Sequence, residues 1–286
     1  MNNSLRALLL SCLVGTAGAQ TSASEAAALP AVSPLPALTP AETERIDALI
    51  AKFPVETGER ASVYFLGFAG YGEERVFAEE IKLGARAVGA RFGSAPRTLL
   101  LINDRRDFET WPLATHRNLQ YALGALGRVM DPERDVLFLA LSSHGGEGGD
   151  IAVSNVNLEP SELDARTLET WLQEAHIRWR VVVVSACFSG AFIDPLANNQ
   201  TIVITAARRD RTSFGCSDQR DLTYFGEAFY RDALPRTPSL RSAFDVTRRE
   251  IRQREKAEHM RPSHPQSHFG PVLESKLAEL QAEPTR

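Results

Sequence analysis

Residues 135–146 read DVLFLALSSHGG, and residues 180–190 read RVVVVSACFSG. Each carries an unbroken apolar run that stops at a serine and continues into small residues and glycine. A strand with one wet face alternates apolar with polar; a strand covered on both faces does not. Working outward, Ser62–Ala69 (SVYFLGFA), Thr98–Asn103 (TLLLIN) and Thr201–Ala207 (TIVITAA) repeat the pattern. Helical spacing fills the gaps: Glu73–Phe92, with Val76, Phe77, Glu80 and Ile81 on one face, and Thr115–Met130. A third helix is expected to open at Ser161, with Asp164 in the capping-box position and Leu168, Trp171, Leu172 and Ala175 buried. The last starts at Ser239 and buries Leu240, Ala243, Phe244, Thr247 and Ile251, its tail RREIRQREK reading as a solvated end. Strands alternating with helices predict an α/β fold, a mostly parallel sheet flanked by helices on both faces.

The chain has 286 residues, 43% apolar and 24% charged, enough for one domain with extensions and a core that needs no staple. The net charge of −4, without a Lys/Arg stripe, excludes a nucleic-acid binder that lives on phosphate contacts. Three cysteines exclude a disulfide scaffold. Residues 1–19 read as a signal peptide: Arg6, an apolar run from Ala7 to Val14, and a cleavage site at Ala17-Gly18-Ala19. Lipidation at Cys12 is the less favoured reading of that segment. No later run reaches the ~20 apolar residues of a membrane span, so an exported protein, periplasmic or secreted, is expected. Residues 20–60 form an Ala/Pro-rich leader and a short helix (Ile46, Leu49, Ile50, Phe53) ending at Pro54. Residues 61–235 form the main domain, and 236–286 a helical extension packing on it.

Ligands of an open parallel sheet sit beyond the carboxyl ends of its strands. Two of those ends carry His144 and Cys187, on strands joined by one crossover helix and so expected to be neighbours. A free thiol with a pKa of ~8.5 is only a few per cent thiolate at pH 7; a neighbouring imidazole, or the helix start expected in Phe188–Phe192, makes it a nucleophile. The same imidazole can protonate a leaving amine. Glycine after His144 lets backbone N–H groups approach a developing oxyanion, a device that contributes ~3–4 kcal/mol per donor.

At these residues the chain resembles the legumain (asparaginyl endopeptidase) family of cysteine peptidases, which has a caspase-like fold. The resemblance rests on strand–Ser-His-Gly-Gly, strand–Ser-Ala-Cys-Phe-Ser-Gly, and ITAARRDRTSFGCSDQRDLTYFGEAFY, and runs from about Val63 to Tyr230. It implies Cys187 as nucleophile, His144 as general acid/base, and the N–H groups of Gly145 and Cys187 as the oxyanion hole. The expected activity is cleavage of a peptide or protein substrate through an acyl-enzyme thioester, without cofactor or metal. Ser185 stands where the family has an acid two residues before the nucleophile, in the pocket that selects asparagine. Ser143 stands where it has an acid before the histidine. Thr212, Ser213 and Glu227 fall near its other pocket positions, Glu227 with a one-residue gap.

Other signals carry less. Gly67–Gly72 follows a strand as a dinucleotide loop would, but Glu73 and Glu74 place negative charge where a pyrophosphate must sit. His264 and His268 are separated by Pro265, which forbids the helix that would align them as metal ligands, and read as a surface loop. Cys216 reads as a packed thiol, with a Cys187–Cys216 disulfide left open. Two alternatives to the peptidase remain: a non-catalytic binding module on a peptidase-like scaffold, and a serine hydrolase using Ser189, against which stands the absence of any G-x-S-x-G elbow.

Overall fold

The computed structural model describes residues 39–282 apart from 56–59, 108, 156–157 and 218. The expected signal segment and most of the leader lie outside the described residues. The apolar runs form β1 (Val63–Ala69), β2 (Thr98–Ile102) and β3 (Val136–Ser142). A hairpin follows, β4 (Asp150–Asn155) and β5 (Leu158–Asp164), and then β6 (Trp179–Ser185), β7 (Thr201–Thr205) and β8 (Gln266–Phe269). The central sheet has six strands in the order β2-β1-β3-β6-β7-β8, parallel throughout except for β8, which pairs antiparallel with β7.

Successive side chains of the strands go to opposite faces, so each run feeds two cores. Leu66, Phe68, Leu139, Val182 and Val184 face α1 (Pro40–Ile50), α3 (His116–Val129) and α4 (Ala165–Glu174). Phe65, Phe138, Val181, Val183 and Ile204 face α2 (Arg75–Phe92), the π-helical stretch Glu227–Ala233, α7 (Leu240–Ala257) and α8 (Pro271–Ala282). Two further short helices are α5 (Ile193–Leu196) and α6 (Tyr224–Gly226). Gly67 packs where a Cβ would meet Ile81 at 2.4 Å and Leu100 at 2.8 Å, so its smallness serves helix–strand contact.

Three local expectations are corrected. Ser161 lies in β5 rather than opening a helix; Asp164 itself caps α4, accepting from the N–H groups of Arg166 and Thr167. Pairing of Ser161 with Val153 and of Leu163 with Ile151 satisfies that backbone before the helical stripe starts. The segment holding His268 is the edge strand β8, half-buried along its length, rather than a loop. The charged tail of α7 is not wholly solvated: Glu255 is buried and accepts from the N–H of Ser263.

The packing of α3 gives opposite expectations for two glycines. A Cβ on Gly127 would meet the carbonyl oxygen of Ala175 at 2.0 Å, whereas one on Gly124 meets only the tip of Arg128 at 3.8 Å. Gly124→Ala is expected to stabilise by about 0.5–1 kcal/mol through helix propensity. Gly127→Ala is expected to destabilise by about 1–3 kcal/mol through overpacking. Urea unfolding of the two variants checks the contrast in sign.

Candidate active site

Strands β3 and β6 end in register, Ser142 opposite Ser185. His144 and Cys187 therefore leave adjacent strand ends, each two residues past a matched pair. The N–H of Ser143 still reaches the carbonyl of Ser185 at 3.2 Å, extending the pairing by one step. Gly145 then passes so close to Cys187 that a Cβ would lie 1.9 Å from the Cys187 carbonyl oxygen. Only glycine fits, and its backbone is held against the backbone of the cysteine. Among the described residues, the N–H groups of Gly145 and Cys187 take no protein acceptor.

The hairpin pins this loop from the other side. Ala152 donates its N–H to the His144 carbonyl at 2.9 Å, and Gly146 donates to the Asp150 carbonyl at 3.0 Å. The Ser143 hydroxyl donates to the Ala152 carbonyl at 2.6 Å, so it serves the hairpin and not the site. The His144 ring stands edge-on between Tyr71 and Phe77, with centroids at 4.7 and 4.9 Å. Its Nε2 lies 3.3 Å from Oε2 of Glu74.

Cys187 is half-buried, and its thiol is free, as is that of Cys216. The Ser213 N–H points at Cys187 Sγ from 3.3 Å, and the Ser213 hydroxyl lies 3.6 Å away. Burial pushes the Cys216 thiol up, Cys187 adds to the effect, and the Ser213 hydroxyl opposes it; Cys216 is thus held as a neutral thiol. Phe188 takes a left-handed backbone (φ 56°), uncommon for a bulky residue, and donates its N–H to the Arg211 carbonyl at 2.7 Å. The expected helix start after Cys187 is a 3₁₀ turn over Ser189–Phe192, followed by the four residues of α5. Ser189 is buried and its hydroxyl accepts from the Ala207 N–H at 3.1 Å, which removes it as a hydrolase nucleophile.

The other pocket candidates separate. Ser213 lies at the thiol, and Thr212 beside it is exposed. Glu227 does not line the same space. It pairs with Arg220 and Arg254 at 2.6 Å each, and with Arg231, beside a small cavity of about 250 Å³ shared with Tyr224, Asp232 and Glu250. Burial works to raise its carboxyl, but Arg254 and Arg231 outweigh that and hold it below its ordinary value. The Glu227 carboxylate is thus held by three arginines at that cavity.

Ser185 is buried, and its hydroxyl lies 3.3 Å from that of Thr223. Thr223 in turn donates to Oε2 of Glu80 at 2.7 Å. Glu80 comes from α2, is fully buried, and has no hydrogen-bond partner at Oε1. Burial raises it from an ordinary 4.5 to about 7, against the opposing pull of the Thr223, Ser185 and Ser142 hydroxyls. Thr223 thus links the Glu80 carboxyl to Ser185 at the end of β6, while the Ser142 hydroxyl at the end of β3 is buried without a hydrogen-bond partner among the described residues. The signal of Glu80 in the sequence is a carboxylate on the apolar stripe of a helix. Glu74 carried a weaker one, a charge at the mouth of a strand–helix turn.

These residues fall largely within a stretch matched by a known family: residues 117–275 fit the model of the peptidase C13 family, the legumain family. The chain belongs to the peptidase C13 family. Its members are cysteine peptidases, and His144 and Cys187 both lie inside the matched stretch, while Glu74 and Glu80 precede it. The fold is shared with solved caspases. Caspase-1 from Spodoptera frugiperda aligns with a TM-score of 0.50 at 8% identity over 75% of this chain and 89% of the caspase. The structure of pro-sf-caspase-1 aligns with a TM-score of 0.54 at 8% identity, over 77% of this chain and 95% of the other. No curated protein matches the sequence. Among the described residues, no helix is long and apolar enough to cross a membrane, and no group of three or more His, Cys, Asp or Glu is placed to hold a metal.

The raised Glu80 gives this C13 member a pH signature. The folded chain holds the Glu80 proton more tightly than the unfolded chain does. That contribution is full below about pH 4.5 and is lost as pH rises through about 7, amounting to about 3 kcal/mol. Thermal unfolding followed from pH 5 to 8 is expected to show falling stability in the wild type. Glu80→Gln is expected to flatten that slope; an unchanged slope would show that another group sets it.

Proposed function

We propose that the protein is an exported cysteine endopeptidase that cleaves peptide bonds by a Cys187–His144 dyad. The observation that carries the reading is the contact between the Gly145 and Cys187 backbones, which sets the loop of one catalytic residue against the other. Cys187 Sγ loses its proton to His144 and attacks the scissile carbonyl carbon. The N–H groups of Gly145 and Cys187, without protein acceptors, are free to bind the oxyanion of the tetrahedral intermediate. Collapse of the intermediate breaks the C–N bond, the imidazolium protonates the leaving amine, and an acyl-thioester remains on Cys187. Water, deprotonated by His144, attacks the thioester; the acid product leaves and the thiol regains its proton.

Ser213 stands at the nucleophile, and the serine at 185 replaces the acid that the family's asparagine pocket carries, so the residue accepted at the scissile bond need not be asparagine. The amino-terminal residues 1–19 support export, and the family supports a peptide or protein substrate. Profiling of the purified chain on a peptide library is expected to show endoproteolysis. Cys187→Ala is expected to abolish it and His144→Ala to reduce it by on the order of 10²–10⁴-fold. Proteolysis that survives Cys187→Ala would overturn the assignment.

A further inference from the structure

We propose that Glu74 is the positioning residue of the site, forming with His144 and Cys187 a Cys–His–Glu relay in which its carboxylate fixes the tautomer and tilt of the imidazole. The proposal rests on the dyad reading above. Three observations carry it. Glu74 Oε2 lies 3.3 Å from His144 Nε2, and the side chain is three-quarters buried. Glu74 occupies the N-cap position of α2 yet makes no capping bond to its helix. Ser, Thr, Asp and Asn are the residues that stabilise that position, so a glutamate turned away from its own helix breaks a local rule at the place where it meets the histidine. Finally, its neighbours are otherwise engaged: Glu73 accepts from Arg105 at 3.0 Å, and Arg75 pairs with Asp221.

The chemistry follows from the donor inventory. An ionised carboxylate only accepts, so the nitrogen facing it carries the proton in both the neutral and the charged ring. With Nε2 as that donor, Nδ1 is left as the lone-pair nitrogen, the one able to take the thiol proton and later return it to the leaving amine. The edge contacts from Tyr71 and Phe77 hold the ring plane, and Glu74 sets its rotation within that slot. A carboxylate beside the ring also favours the imidazolium that forms when the thiol gives up its proton. Among the described residues, the titratable groups against the ring are Glu74 and Tyr71, with Glu73 and Arg105 behind them and Cys187 beyond the Gly145 contact. Burial, then Glu74 and Glu73, holds the Tyr71 phenol above its ordinary value, so it stays neutral and does not compete for the role.

Two readouts test this on the full chain with Glu74→Gln and Glu74→Asp. The first is kcat and KM on a cleaved library peptide from pH 5 to 9. The second, which needs no substrate, is the rate of Cys187 alkylation by iodoacetamide over the same range. Glu74→Gln is expected to lower kcat by on the order of 10²-fold with KM nearly unchanged, to move the alkaline edge of the kcat profile toward acid, and to slow Cys187 alkylation below pH 7. Glu74→Asp, which keeps the charge, is expected to keep the edge and recover part of kcat; a residue that merely supported the loop would leave the edge in place in both variants. Rapid alkylation of wild-type Cys187 below pH 7 together with an unmoved edge and kcat in Glu74→Gln overturns the Glu74 role and leaves the dyad standing. An ordinary thiol profile in the wild type overturns both.

Discussion

Parallel pairing of β3 with β6, in a register that ends on Ser142 opposite Ser185, is the constraint on which the rest of the site depends. Parallel strands need a crossover connection, and here that connection is the β4–β5 hairpin followed by α4. The crossover returns the chain to the same edge, so both strands point the same way and their carboxyl ends coincide. A shift by one residue would turn Ser142 and Ser185 toward the opposite core, because side chains alternate with period two. It would also carry Gly145 away from the Cys187 backbone, and any larger residue at 145 would prise the two loops apart. Register is protected by the apolar runs themselves: Phe138, Ala140, Val181 and Val183 fill one core while Leu139, Leu141, Val182 and Val184 fill the other.

The same strand ends bear a polar cost. Ser142 and Ser185 point toward the side of the sheet covered by α2, and Glu80 comes from that helix and reaches Ser185 through Thr223. A fully buried carboxyl with only hydroxyl donors is expensive to ionise, which is why burial dominates its shift. Gly226 makes the room, since a Cβ there would lie 2.5 Å from the Glu80 carboxyl carbon. Thr223 joins the cluster while its oxygen also accepts from the N–H of Gly226, so the loop that begins near Ser213 is fastened to α2 and to the end of β6 through one side chain. The fastening is uncharged at moderately acid pH and strained above it.

The sheet was legible because each parallel strand writes an unbroken apolar run, and the nearness of His144 and Cys187 because each follows such a run directly. Elements with mixed surfaces were harder to read. Strand β5, LEPSELD, contains a proline and three acids, and is held by its pairing with β4 rather than by propensity. Strand β8 is only half-buried, so nothing in QSHF distinguishes an edge strand from a loop until the partner strand is in place. At the site, the one-residue gap at Glu227 says nothing about which side of a helix the acid will face. The structure turns it toward Arg220, Arg231 and Arg254. Glu80 was on the page as a member of an apolar helical stripe, and its acidity there was the clue.

The division of labour between the two halves of the chain follows from this geometry. His144 and Cys187, the proposed base and nucleophile, follow the central pair of strands inside the stretch that matches the family. Glu74, which meets His144, and the buried Glu80 come from the turn and helix that follow β1, outside that stretch. Because β1 pairs directly with β3, Ala69 opposite Ser142, the first turn of α2 is delivered to the histidine end of the site. One face of that helix buries Glu80 beneath the strand ends, and its N-cap presents Glu74 to the ring. A single helix, fixed by one strand pairing, therefore carries both the buried carboxyl beside the end of β6 and the carboxylate that meets the imidazole, and changes in α2 alter the site without touching His144 or Cys187.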